Sequence, residues 1–209
     1  MFSGEEQRFR IIAGLGNPGS EYSRTRHNAG FMAADAIGRG LSGKFVEKKI
    51  DGGMLKEGKC RGERLWLVKP QTYMNLSGQC VSSFMRKNGL EAGDLLLMYD
   101  DMDLPLGKIR FCTGGGSAGH KGVESVIAVL GTADFARLRI GIGRRADRPD
   151  KADYVLSEFD ERESDLFSKV IDMAAEAVKL LLYRGLDKAM NEYNGRLLGD
   201  GADDVKKEK

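Results

Sequence analysis

Cysteine is sparse in this chain of 209 residues. Cys60, Cys80 and Cys112 are scattered, odd in number, and form no C-x-x-C. Only two histidines accompany them, His27 and His120, far apart in sequence. The pattern argues against a structural zinc site and for a reducing compartment, so a cytoplasmic location is expected. No run of about 18 apolar residues occurs, so no membrane span is expected. The opening stretch MFSGEEQRFR has no apolar core, so it does not read as a secretory signal. Excess charge is also missing: 33 basic residues against 31 acidic ones leave +2. Net charge alone therefore announces no nucleic-acid partner, and the distribution carries more information. Acids gather in EFDERESD and DGADD, bases in RTRH, KFVEKK and RLRIGIGRRADRPDK. No internal repeat or linker interrupts the chain, and its length fits one domain with a sizeable core. Residues 1–9 are expected to form a flexible segment, 10–195 the folded domain, and 196–209 a disordered polar tail.

What is present is an alternation of strand and helix patterns. FRIIAGL, RLWLVKP, DLLLMYDD, GKIRFC and ARLRIGIGR are short apolar runs bounded by turn residues. GKFVEKK and GGMLKEGKC add strands of a hairpin. NAGFMAADAIGRGL, YMNLSGQCVSSFMRKNG, VESVIAVLG, ESDLFSKVIDMAAEAVKLLLYRG and LDKAMNEYNG carry apolar residues at helical spacing, and glycines close most of them. The expected fold is α/β: one domain with a mixed, mostly parallel central sheet flanked by helices. Ligands of such sheets sit beyond the carboxyl ends of the strands. Three loops there, 14–30, 98–107 and 113–122, are rich in Gly, Asn, Asp and His.

The first of these loops contains Gly14, Gly16 and Gly19, which fit the dinucleotide fingerprint G-x-G-x-x-G. In a dinucleotide site the third glycine opens the helix that receives the pyrophosphate. Here a polar insertion, SEYSRTRH, separates the glycines from the helix, which starts near Ala29. The acid expected about 20 residues further on is also missing, since Asp35 falls within the helix. The loop therefore reads as a catalytic loop, and a nucleotide-dependent oxidoreductase is the weaker alternative.

Its chemistry starts with His27, at or just before a helix N-terminus, with Asn28 in position to cap. The helix dipole there disfavours an imidazolium, and a neutral imidazole suits a general base. A histidine base works better with an orienting carboxylate. YDDMDLPLG supplies Asp100, Asp101 and Asp103, and Asp100 is the first acid after the buried strand. Three acids invite a metal reading, but no second carboxylate motif supports one. Asn17 and Asn75 offer amide donors to a developing oxyanion, although capping a helix is the plainer role for Asn75. There is no G-x-S-x-G elbow, and nothing obvious activates Cys112, so water is the expected nucleophile. The loop TGGGSAGHKG, with Ser117, His120 and Lys121, lets backbone approach a phosphate or polymer closely.

Together, IIAGLGNPGSEYSRTRHNAG, KPQTYMNLSG, DDMDLPLGKIRF, GGGSAGHKG and FARLRIGIGR resemble, in order and spacing, the signature blocks of the bacterial peptidyl-tRNA hydrolases. The resemblance spans residues 10–195. It implies a monomeric, metal-free and cofactor-free esterase that splits peptide from the 3′ ribose of tRNA and so recycles tRNA, with no covalent intermediate. It further implies His27 as the residue that activates water, Asp100 as its orienting carboxylate, Asn17 near the scissile ester, and Asn75 in the peptide cleft. Tyr22 and Met74 match cleft-lining residues, and His120 the histidine of the glycine loop. One position departs: the family commonly has Asn where this chain has Lys121, which points to a phosphate contact instead. Arg110, Arg137, Arg139, Arg144 and Arg145 form the expected basic patch for the tRNA acceptor stem. The competing class is a non-catalytic RNA-binding protein of the same fold, against which stand a base, its orienter and two amide donors.

Overall fold

In the computed structural model, residues 8–41, 45–144 and 150–199 are described. One seven-stranded sheet runs through the molecule in the order β2-β3-β4-β1-β5-β7-β6. Its strands are β1 (Ile11–Gly14), β2 (Val46–Ile50), β3 (Gly53–Cys60), β4 (Glu63–Pro70), β5 (Leu95–Asp101), β6 (Ile109–Thr113) and β7 (Ala136–Gly141). The mixed sheet expected from the sequence is present, but it is not mostly parallel: three of its six strand pairings are parallel, and these lie in the middle. β1 lies parallel to β4 and β5, and β5 parallel to β7. The β2–β3, β3–β4 and β6–β7 pairings towards the two edges are antiparallel. β5 is buried at every position, as expected of a central parallel strand covered on both faces.

The helices are α1 (Ala29–Gly40), α2 (Ser77–Lys87), α3 (Lys121–Leu130), α4 (Lys151–Val155), α5 (Glu161–Arg184) and α6 (Leu186–Tyr193). The two-residue period of the strands divides the core between the sheet's faces. Ile12, Leu96, Met98, Leu138 and Ile140 pack with α1 and α5, whereas Ile11, Ala13, Leu97 and Tyr99 pack with α2 and α3. Gly89 and Gly185 end their helices with φ of 61° and 84°, conformations that favour glycine. The edge strand β6 is closed off by Asn194. Its Oδ1 accepts from the Phe111 N–H at 2.8 Å, and its Nδ2 donates to the Phe111 carbonyl at 3.0 Å.

The folded unit reaches beyond the range expected for the domain. Phe9 is buried in the core, and the Leu198 N–H donates to the Gly107 carbonyl at 2.9 Å. Residues 1–7 and 200–209 of the two expected terminal segments lie outside the described residues. Among the described residues, no helix is long and apolar enough to cross a membrane.

The glycines of the first loop serve close packing. A Cβ on Gly14 would sit 2.2 Å from the Gly30 carbonyl oxygen, and one on Gly30 would sit 2.4 Å from the Met98 oxygen. Contact without side chains lets the start of α1 lie directly on β1 and β5. The Phe31 N–H, in the first turn of α1, is taken by the Leu15 carbonyl at 3.1 Å. The chain itself thus occupies a donor that a pyrophosphate would need.

Candidate active site

The carboxyl ends of β1 and β5 open into a cleft of about 1010 Å³. Asn17, His27, Met74, Asn75, Asp100, His120 and Lys121 all line it. Residues separated by more than 100 positions in the chain therefore meet where the sheet topology predicts a ligand.

At its centre, two histidines converge on one carboxylate oxygen. His27 Nδ1 lies 2.8 Å and His120 Nε2 3.0 Å from Asp100 Oδ1. The rings pack against each other with centroids 4.9 Å apart, and the Tyr99 ring meets His120 edge-on at 5.0 Å. Asp100 is almost sealed from solvent, with 2% of its side chain exposed, against 12% for His27. Burial alone would push its carboxyl up. The two imidazoles outweigh burial and hold it below the usual carboxylate range.

Hydrogen bonds on the far side of the His120 ring settle its tautomer. His120 caps α3: its Nδ1 accepts from the Gly122 and Val123 N–H groups at 3.1 and 3.3 Å. That nitrogen carries no proton, so Nε2 carries it and donates to Asp100. His27 faces the same anion with Nδ1, which must donate. In a neutral His27 ring, Nε2 is then the nitrogen without a proton. With His27 neutral as well, two imidazoles in opposite tautomers flank one carboxylate.

His27, Asp100 and His120 place three ligand atoms within 4.8 Å, a spacing a metal ion could bridge. The donor chemistry does not fit one. A metal on His120 Nε2 would need either an imidazolate or the loss of the α3 cap, because Nδ1 already accepts two backbone N–H groups. The neighbouring acids have separate duties. Asp101 pairs with Arg139, and Asp103 with Arg144.

Asn17 is fixed by two contacts. Its backbone N–H and carbonyl bond to the Asn28 side-chain amide at 2.8 and 3.0 Å, and its own Oδ1 accepts from the Met74 N–H at 2.9 Å. Asn28 stands at the N-cap of α1 as expected, but its side chain makes no cap and braces Asn17 instead. With Oδ1 engaged, the Asn17 Nδ2 donor remains for the cleft. Asn75 lies in the short 3₁₀ turn Met74–Leu76, exposed in the cleft, with no side-chain cap of that turn or of α2.

The chain also matches a known protein family. A family model described as peptidyl-tRNA hydrolase matches residues 11–200. The chain belongs to the peptidyl-tRNA hydrolase family. It is 47% identical to the peptidyl-tRNA hydrolase of Gloeobacter violaceus over 93% of this chain and 98% of that one. The Halalkalibacterium halodurans peptidyl-tRNA hydrolase is 43% identical, over 88% of this chain and 100% of that one. The crystal structure of the Acinetobacter baumannii peptidyl-tRNA hydrolase superposes with a TM-score of 0.84 at 35% identity, over 93% and 98% of the two chains. Membership makes the chain a hydrolase of carboxylic esters.

Of the other expected positions, Arg144 lines the cleft, whereas Tyr22, Arg110, Arg137 and Arg139 do not. Tyr22 belongs to the 3₁₀ turn Ser20–Tyr22 and does not line it. The basic patch is also smaller than the sequence suggests. Arg137 is buried, with 2% exposure, and so is no surface group. Arg139 is half-buried and paired with Asp101, Arg110 and Arg144 are exposed, and Arg145 lies outside the described residues. The cleft has a wall that sequence reading missed. Lys151, Val155 and Leu156 of the α4 segment line it. Five residues are too few for a helical period to show, and the available signal was Asp150, whose side chain caps α4 by accepting from the Ala152 N–H at 2.8 Å. Arg26, next to His27, ties this wall down. Its guanidinium donates to the Ser157 hydroxyl at 2.9 Å, pairs with Glu163, and lies over the Tyr154 and Phe159 rings.

Proposed function

We propose that the chain hydrolyses the ester between peptide and 3′ ribose in peptidyl-tRNA, with His27 as the base that activates water. The observation that carries this reading is the 2.8 Å contact of His27 Nδ1 with the buried Asp100, which in a neutral ring holds the Nδ1 proton and leaves Nε2 to accept one. Water bound at Nε2 loses a proton as it attacks the ester carbonyl, and the imidazolium that forms is stabilised by Asp100. The Asn17 Nδ2 donor meets the oxygen that becomes negative. His27 then returns the proton to the departing 3′ oxygen, so no covalent intermediate is required. Free tRNA and peptide result, which recycles the tRNA.

The exposed Tyr73, at 67%, with Val129 and Leu156, gives the cleft an apolar floor for peptide side chains. Lys121 is exposed at the start of α3, with only the solvated Glu124 3.3 Å from its Nζ. Such a pair is weak, so the ammonium is free to meet phosphate. Arg110 and Arg144 extend the basic surface, and Arg139 joins it to the extent that Asp101 releases it.

The test is release of N-acetyl-aminoacyl groups from tRNA in EDTA, with the His27→Ala variant beside the native chain. Cleavage that the variant loses while still binding tRNA supports a metal-free histidine-dependent esterase. Binding without cleavage by the native chain moves it to the RNA-binding class.

A further inference from the structure

We propose that Arg137 is a positioning residue, which sets the glycine loop so that His120 meets Asp100. It lies on β7, opposite Leu97 of β5, and is sealed inside the protein. Its Nη1 donates to the Gly116 carbonyl at 2.7 Å and its Nη2 to the carbonyls of Gly115 and Ala133. The guanidinium stacks over the Phe135 ring at 4.7 Å. It also lies close enough to the Tyr99 phenol to pull that group's pKa back down against burial. Tyr99 immediately precedes Asp100 and touches the His120 ring, so the guanidinium adjoins a residue that borders both partners of the His120–Asp100 contact.

The loop needs such a hold. Gly114, Gly115, Ala118 and Gly119 all have positive φ, and a Cβ on Gly115 would meet nothing, so conformation alone demands glycine there. Only Ser117–Gly119 separate the bound carbonyls from His120, whose N–H donates to the Ser117 carbonyl at 2.9 Å. No carboxylate pairs with Arg137 among the described residues, and its Nε has no partner there. A cation buried without a counter-ion contributes little stability, and an apolar side chain of similar length serves that purpose better. What only Arg supplies is a planar fork that holds two successive carbonyls at fixed angles.

The proposal rests on the hydrolase reading for its kinetic consequence, but its main readout needs no turnover. The chain has two histidines, so the imidazole ¹⁵N spectrum contains His27 and His120 alone. In the native protein His120 is expected protonated at Nε2 and His27 at Nδ1. In Arg137→Met, the His120 pattern is expected to average between tautomers. The melting temperature should move by no more than about 4 °C, kcat should fall about 100-fold, and KM should change less than about threefold. Arg137→Lys, with charge but no fork, is expected to lie between. A native imidazole spectrum with native kcat in Arg137→Met overturns the proposal. Should that variant not fold, Gly115→Ala displaces the loop with Arg137 intact; a shifted His120 signal then supports the proposal and an unshifted one overturns it. A native chain that cleaves no peptidyl-tRNA overturns the hydrolase reading alone, and the spectrum still decides the role of Arg137.

Discussion

Replacing Asp100 by Asn removes one charge from the site and almost nothing else. The two side chains are isosteric, and both His27 and His120 donate to the same oxygen. Two converging N–H groups force the new amide to present its carbonyl oxygen at that place, since its NH₂ would oppose two donors. His120 keeps Nε2–H because the α3 cap still claims Nδ1, and His27 keeps Nδ1–H. The variant therefore retains geometry and tautomers and loses only the charge that stabilises His27 once it has taken the water proton. Charge centres about 4 Å apart at an effective dielectric of about 20 interact by about 4 kcal/mol. That corresponds to about a thousandfold in rate. Steady-state hydrolysis of peptidyl-tRNA at neutral pH is the assay, with tRNA binding measured in parallel. The expectation is kcat down by about 10³, affinity little changed, and an unaltered imidazole tautomer pattern. A loss below about tenfold would show that Asp100 does not face a developing imidazolium, and the assignment of His27 as base would fall with it.

Asn17→Asp keeps the acceptor for the Met74 N–H but puts an anion where a donor faced the cleft; kcat is expected to fall at least about 100-fold with the fold intact by circular dichroism. Gly30→Ala places a Cβ against the Met98 and Leu15 backbone, which cannot give way; chemical denaturation should show a loss of about 1–3 kcal/mol. The pH dependence of stability has a definite sign. Asp100 titrates below the carboxylate range in the native state and near the ordinary value when unfolded, so its stabilisation is present above about pH 4 and lost as pH falls through its native pKa. Asp100→Asn should accordingly flatten the acid side of a melting-temperature profile, and an unchanged slope would contradict the depressed pKa.

Much of the fold was legible because β1, β5 and β7 are apolar runs and α1, α2 and α5 carry strong helical periods. His27 and Asp100 were legible as residue types whose chemistry needs one another, although 73 positions separate them. Arginine depth was not. In sequence, Arg137 and Arg139 look like neighbours in one basic patch, and as alternate residues of a strand they do share a face. The glycine loop crosses over Arg137 and seals it, whereas Arg139 reaches Asp101 at the rim. That difference is set by where a loop from β6 runs, which no spacing records. The cap made by His120 was hidden for a similar reason, since histidine is not among the side chains that announce a helix start. The glycines of the first loop matched a phosphate fingerprint by spacing, and only the approach of Gly30 to Met98 shows that they make room for backbone.

The shared oxygen of Asp100 also bears on the fate of the product. In the proposed resting state, with both imidazoles neutral, the centre carries the single negative charge of the buried Asp100. An ester entering the cleft is neutral at its reacting carbon. The acid released by hydrolysis is a carboxylate in the same position, facing that fixed anion once His27 has given up its proton. Like charges at this range repel in a medium that screens them poorly. On the proposed mechanism, the group that drives the forward reaction also repels what the reaction makes, so free peptides are expected to compete weakly for the site, and product-inhibition measurements check this.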